Sequence, residues 1–286
     1  MMDSSNIFTV TPMSQQIELE AGQTYIGHIT VANPANAAAD FTYQVNVSPY
    51  GVIGEDYTAD LMTQTDRSQI SKWITIPEPT GTLKPNETHD VEFVINVPEN
   101  APDGGQYATI MISSAPKSTA NDDGVNVKNI FEMASIIYAK VAGETTYKGE
   151  ILENYIPGFA TGTPIRVSTT IKNESNVHET ARISLEVKSF FAAAPVYPRA
   201  GESGTVQEVI MPDSTRLFTR DIDGISPLGI YDITQTVTFL NDTSINHQTI
   251  VVCPIWFMAL VIISVAAIIV AIVHAIKKHR RKKVVI

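Results

Sequence analysis

The sequence predicts an all-β chain: two tandem immunoglobulin-like β-sandwich domains followed by one transmembrane helix. Three observations predict it. Apolar and polar residues alternate over many short stretches. The pattern of one half recurs in the other, at a constant offset of 140 residues across two strands. A long uncharged run near the C-terminus ends in a cluster of Lys and Arg.

The first domain is expected over residues 6–143. In Phe41-Thr42-Tyr43-Gln44-Val45-Asn46-Val47 the odd positions are apolar, and Val91, Phe93, Ile95 and Val97 repeat that period. Side chains two apart share one face of a strand, so period two predicts strands with one buried face. Gly, Pro, Asn and Asp punctuate these runs, as turns require. Gly54 to Ser71 is the one soluble stretch where a short helix is expected. Ser118 to Gly124, small and polar, reads as a loop.

The second domain is expected over residues 146–250, after a boundary near Gly143 to Tyr147. Gly22-Gln23-Thr24 and Gly162-Thr163-Pro164 each precede a strand, ending at Asn33 and Asn173. Phe41, Tyr43, Val45 and Val47 then fall in register with Ala181, Ile183, Leu185 and Val187. Leu83-Lys84-Pro85-Asn86 is echoed by Ile210-Met211-Pro212-Asp213. Shared order and register point to a tandem duplication. The first copy carries an insertion, Ser48 to Ile74, that holds Tyr50, Tyr57 and Trp73.

Residues 251–276 are expected to cross a membrane. No Asp, Glu, Lys or Arg occurs in that run of 26 residues, which exceeds the roughly 20 needed to span a bilayer core as a helix. The tail 277–286 comes next with Lys277, Lys278, Arg280, Arg281, Lys282 and Lys283, while all thirty acidic residues lie before the run, leaving residues 1–250 with a net charge of −16. Basic residues beside a span stay on the cytoplasmic side. The expected topology is therefore single-pass, with the domains extracellular, the C-terminus cytoplasmic and Trp256 at the outer interface. A basic cluster against a membrane fixes topology rather than binding nucleic acid. The N-terminus has no signal-peptide pattern; a trimmed or truncated start is expected, with a tail-anchored chain as the alternative. Cys253 is the only cysteine, so no disulfide forms within the chain; it is a small filler or a lipidation site.

A search for chemistry finds no HExxH, no GxSxG and no glycine-rich phosphate loop. Asp221-Ile222-Asp223-Gly224 opens like a calcium loop but lacks the closing Glu. No enzyme activity, cofactor or metal is expected. Tyr50, Tyr57 and Trp73 are the candidate ligand-binding residues, since Tyr and Trp stack on ligands and anchor contacts. For Trp73 packing in the core is the competing reading.

The order Lys72-Trp73-Ile74, Leu83-Lys84-Pro85-Asn86-Glu87, Val91 to Pro98 and Ala101-Pro102-Asp103-Gly104-Gly105-Gln106-Tyr107 resembles the first domain of WxL-interacting proteins, surface proteins of Gram-positive-type bacteria. Asn173-Glu174-Ser175-Asn176, Met211-Pro212 and Leu228-Gly229-Ile230-Tyr231 are similar to their second domain. The resemblance implies a first domain that binds peptidoglycan and a second that binds a host surface ligand, with WxL-domain proteins as partners. The expected function is thus a membrane-anchored binding or scaffold protein. The alternative is a passive stalk or an accessory subunit of a cell-envelope complex.

Overall fold

A computed structural model describes residues 8–114, 117–120, 126–190, 195–199 and 201–283. The chain is all-β with one C-terminal apolar helix. It divides into two compact units. The first gathers residues 1–149 with 172–179 and 209–216; the second gathers 150–171, 180–208 and 217–286.

The strands of the first part of the chain are β1 (Thr9–Thr11), β2 (Ser14–Leu19), β3 (Thr24–Ala32), β4 (Phe41–Pro49), β5 (Gly51–Ile53), β6 (Thr58–Asp60), β7 (Ile74–Thr75), β8 (Thr80–Leu83), β9 (Thr88–Asn96), β10 (Gly104–Ser114), β11 (Lys117–Ala120), β12 (Asn126–Asn129) and β13 (Glu132–Val141). One sheet runs β1-β3-β9-β7 and the other β2-β13-β10-β4-β8. β2 and β13 are parallel; the other pairings are antiparallel. The core lies between the sheets, with Ile29, Val31, Phe93 and Ile95 from one and Val45, Ile110, Ile112 and Ile137 from the other. Each such side chain stabilises the fold by roughly 1.5–3 kcal/mol relative to exposure. Gly27 on β3 faces Phe93 on β9, and a Cβ there would collide with the phenyl ring. The short helix expected between Gly54 and Ser71 is a 3-10 helix over Asp66–Lys72, pinned by the buried Ile70. Of the expected loop, Ser118 to Ala120 belong to β11 and the remainder lies outside the described residues.

The later strands are β14 (Gly149–Tyr155), β15 (Phe159–Ala160), β16 (Ile165–Asn173), β17 (Glu179–Ser189), β18 (Pro195–Tyr197), β19 (Thr205–Ile210), β20 (Ser214–Ile222), β21 (Gly229–Phe239) and β22 (Asp242–Val252). One sheet is β14-β16-β20; the other runs β15-β22-β21-β17-β18, with β19 on β17. Strands β15 and β22 are parallel. The core joins Ile165, Val167 and Ile222 to Leu185, Val187, Ile233 and Ile250. These pairings repeat the earlier order: β3-β9 corresponds to β16-β20, and β2-β13-β10-β4 to β15-β22-β21-β17.

The uncharged run begins inside β22, whose Val252 is fully buried. After Cys253-Pro254 the helix α1 spans Ile255–Lys283. Its Ile255–Lys277 portion holds an 18-residue window with a mean hydropathy of 3.0 and no residue buried against protein, and is long and apolar enough to cross a membrane.

Candidate functional site

On the face of the five-stranded sheet away from the core, the strand period sets out a row of large side chains. In β13, Ile137, Ala139 and Val141 point into the core, so Tyr138 and Lys140 point outward. In the parallel neighbour β2, Ile17 and Leu19 point inward, so Gln16 and Glu18 point outward. The register places Gln16 beside Tyr138 and Glu18 beside Lys140. On the other side of β13, Tyr107 of β10 is paired with Tyr138.

Although it lies on this outer face, Tyr107 is fully buried. Residues 177–179, which belong to the first unit, lie against it. The backbone N–H of His178 donates to Tyr107 Oη at 2.8 Å. The same hydroxyl is 3.3 Å from His178 Nδ1. In that contact the hydroxyl donates when Nδ1 is unprotonated, and accepts when Nδ1 carries the ring proton. Tyr107 tolerates no side chain at Gly105, where a Cβ would run into its hydroxyl.

Four aromatic rings meet here. Tyr138 and His178 have centroids 5.1 Å apart, Tyr107 and Tyr138 6.0 Å, and Tyr50 meets Tyr138 edge-on at 6.1 Å. Burial pushes the hydroxyls of Tyr107 and Tyr138 well above the usual tyrosine range. Burial, helped by the Lys140 charge, holds the His178 imidazole below its ordinary value. The ring is therefore kept neutral by its surroundings.

Beside the rings opens a recess of ≈ 310 Å³ bounded by Gln16, Glu18, Tyr138, Tyr147, His178 and Glu179, with Lys140 between. Lys140 Nζ donates to Tyr147 Oη at 3.3 Å and lies 5.8 Å from that ring's centroid. Burial raises the Glu179 carboxyl above its ordinary value, and Lys140 pulls it partly back. The lining thus offers two carboxylates, one ammonium and tyrosine faces. That set can take up a basic side chain by ion pairing and by contact of the cation with a ring face. Among the described residues, no group of three or more His, Cys, Asp or Glu side chains is placed to hold a metal ion.

The structure does not gather Tyr50, Tyr57 and Trp73 into one ligand surface. Tyr50 joins the ring cluster. Tyr57 adopts a φ of 59° and spends its hydroxyl within the chain. It bonds to Ser214 Oγ and accepts the Met211 N–H at 3.0 Å, while the Arg216 guanidinium lies 4.5 Å over its ring. Trp73 closes the 3-10 helix through its N–H to Ile70 O at 2.9 Å and packs against the core. Trp256 is 61% exposed near the start of α1. Lys277 is exposed, and the helical backbone continues through Lys278, Arg280, Arg281 and Lys282 to Lys283. Sequence reasoning missed Tyr107, Tyr138, Lys140 and His178. The outward parity of Tyr138 and Lys140 was available as a signal, but nothing local ties either to His178.

No family model matches the chain. No curated protein matches it. Solved structures do match. One is from a chaperone–tip adhesin complex of CFA/I fimbriae, at 9% identity and a TM-score of 0.41, covering 85% of this chain and 98% of that one. A second is from the CsuC–CsuE chaperone–tip adhesion subunit pre-assembly complex of Acinetobacter baumannii, at 15% identity and 0.40, covering 85% and 98%. A third is the E. coli chaperone DraB, at 13% identity and 0.40, covering 85% and 97%. Likenesses of this depth carry nothing about what the chain binds.

The resemblance to WxL-interacting proteins is not upheld: no family model matches the chain, and the three solved structures above come from fimbrial chaperones and their complexes. The expected function as a peptidoglycan-binding surface protein falls with it, as do peptidoglycan, WxL-domain proteins and a host surface ligand as partners. The physical reason lies in the motifs. Leu83 to Glu87 and Ala101 to Tyr107 form strand ends and turns around β8, β9 and β10. Asn86 holds a φ of 67° in one of those turns. Such residues are demanded by a sandwich framework and recur wherever one is built.

Proposed function

We propose that the chain is a membrane-anchored, non-catalytic accessory subunit of a cell-envelope assembly. It consists of two tandem immunoglobulin-like sandwiches, residues 6–143 and 146–250, held by a single span that starts at Ile255, because Val251 and Val252 of the expected span end strand β22. The tail 277–286 lies on the cytoplasmic side and the sandwiches on the other. One observation carries this reading: the Ile255–Lys277 portion of α1 contains an 18-residue window of mean hydropathy 3.0, with none of its residues buried against protein. A core helix of a soluble domain would be covered, so this one needs lipid. Lys277 and the basic residues after it favour the cytoplasmic side for the tail.

The recess beside Tyr138 and His178 supports an accessory role over that of a bare stalk. It would take a basic side chain of a partner protein between Glu18, Glu179 and the tyrosine faces. The test is a photo-crosslinking residue at position 147 in the full-length, membrane-bound chain. A discrete adduct with one envelope protein, suppressed by Glu18→Lys, is the expected result. No adduct from a folded, membrane-bound chain would leave an anchored stalk and overturn the accessory reading.

A further inference from the structure

The outer face of the sheet that ends at α1 changes character at its last rung. Val251 on β22 is 43% exposed and is paired with Ile230 on β21. Across its other edge it is paired with Phe159 on β15, which is 50% exposed. At the far end, the Phe190 N–H donates to Ile230 O at 2.9 Å, and the Phe190 side chain is largely exposed. One rung further from the helix the same face is polar. There Asp232 pairs with Thr249, whose hydroxyl donates to the Asp232 carboxylate at 2.6 Å. A line of apolar side chains thus crosses four chain segments at one level and stops.

That level is fixed by chain connectivity. The link from Val252 to Ile255 is Cys253-Pro254 alone, and it is tied down. The Cys253 N–H donates to Ala160 O at 2.9 Å, and the N–H groups of Phe257 and Met258 bond to Pro254 O at 3.0 and 3.1 Å. Four residues cover at most about 14 Å, so Val251 is that close to the first residue of the span. At about 1.5 Å per residue, the 23 residues from Ile255 to Lys277 reach about 35 Å, somewhat more than the ~30 Å hydrocarbon core. Ile255 and Trp256 therefore reach into the headgroup layer, which is several ångströms deep. Exposed apolar rows next to such a layer are membrane-contact surfaces, and Trp suits the boundary.

We propose that this rung is a membrane-docking rim: Phe159, Ile230, Val251 and Trp256 sit in the headgroup–acyl boundary of the bilayer that α1 crosses. The rim rests on the reading of α1 as an anchor, and it adds that the sheet is seated on the lipid instead of swinging above it. The hydrogen-bonded link leaves little slack for any other arrangement.

The full-length chain in phosphatidylcholine vesicles tests this. In a Cys253→Ala background, a fluorophore is attached to Phe159→Cys, Val251→Cys, Ile245→Cys or Ile263→Cys. Quenching by lipid-borne nitroxide is compared with quenching by aqueous iodide. Labels at 159 and 251 are expected to be quenched several-fold more by lipid than by iodide, and the label at 245, on the same strand face, the reverse. Labels at 159 and 251 as open to iodide as that at 245, with 263 quenched from the lipid, would overturn the rim alone. A label at 263 open to iodide would remove the anchor and the rim together. Should a labelled variant misfold, Phe159→Trp with Trp73→Phe and Trp256→Phe, read with brominated lipid, asks the same question of the unlabelled protein.

Discussion

Asn33 and Asn173 do the same work in segments 140 residues apart, yet the residues after each of them differ. Asn33 Nδ2 donates to Leu83 O at 3.0 Å and Ala39 O at 3.2 Å. Asn173 Nδ2 donates to Ile210 O at 2.9 Å and Val177 O at 3.0 Å. Three residues beyond each distant carbonyl, Asn86 and Asp213 hold φ values of 67° and 53°. The side chains that bind backbone therefore recur. Those around them do not: Ala37-Ala38-Ala39 stands after the first asparagine where Val177-His178-Glu179 stands after the second. The second loop brings the imidazole and carboxylate that line the recess; the first brings methyl groups. A framework position is held by the carbonyls it must satisfy, while an outward position in the same loop is open to whatever a site requires.

The largest expected effect tests the shared role. Asn33→Ala and Asn173→Ala each leave two carbonyls without their donor, at a cost of about 1–3 kcal/mol for each group left unpaired. Urea unfolding of the full chain in detergent, monitored by near-ultraviolet circular dichroism, should show a lowered midpoint for both. A drop in only one would break the correspondence.

A smaller effect sharpens it. Gly27 has Val167 as its counterpart at the 140-residue offset, and only Gly27 lies under a phenyl ring, that of Phe93. Gly27→Ala should destabilise by about 1–3 kcal/mol through overpacking, and adding Phe93→Leu should return part of the loss. Val167→Ala instead removes buried methyl groups, so no partner change should rescue it. Rescue of both, or of neither, would mean that the two positions are filled on the same principle.

The smallest effect concerns His178. Its imidazole is held below its ordinary value in the fold, so the unfolded chain binds the proton first. Stability from this group is present above pH ~6.5 and is lost as pH falls from there through the folded value. Glu179 works the other way. Its raised carboxyl stabilises the fold below its unfolded value and loses that contribution as pH rises through the folded one. His178→Gln should therefore flatten the decline in unfolding midpoint between pH 7 and 5, and Glu179→Gln should steepen it. An unchanged slope in His178→Gln would show that the imidazole does not titrate with folding. Ala38→His, its counterpart, should add no such slope, since no Tyr107 awaits it.

Much of the fold was legible because its signals are local. Val91, Phe93 and Ile95 alternate with polar residues, and all three are buried. Tyr107 was harder to read. It shares its strand with the core residues Ile110 and Ile112 yet faces the other way, and its burial comes from residues some 70 positions later. The aromatic insertion shows a related limit: a phenol in a loop reads as available until its partner is known. The Tyr57 hydroxyl is taken by Ser214 and Met211.

The strand-rich class, the apolar helix with its basic tail, and the two asparagine-led segments are set by the amino-acid order alone. Each comes from a period, a run or an offset along the chain, and a chain carries those quantities directly. It took the folded chain to place Val251 and Val252 in a strand before the helix begins, to stand Gln16 and Glu18 beside Tyr138 and Lys140, and to close His178 over Tyr107. These depend on strand register and on contacts between distant segments. Parity says which face a side chain occupies, but the neighbour it meets there is set by which strands pair, and that is chosen by the packing of the whole core.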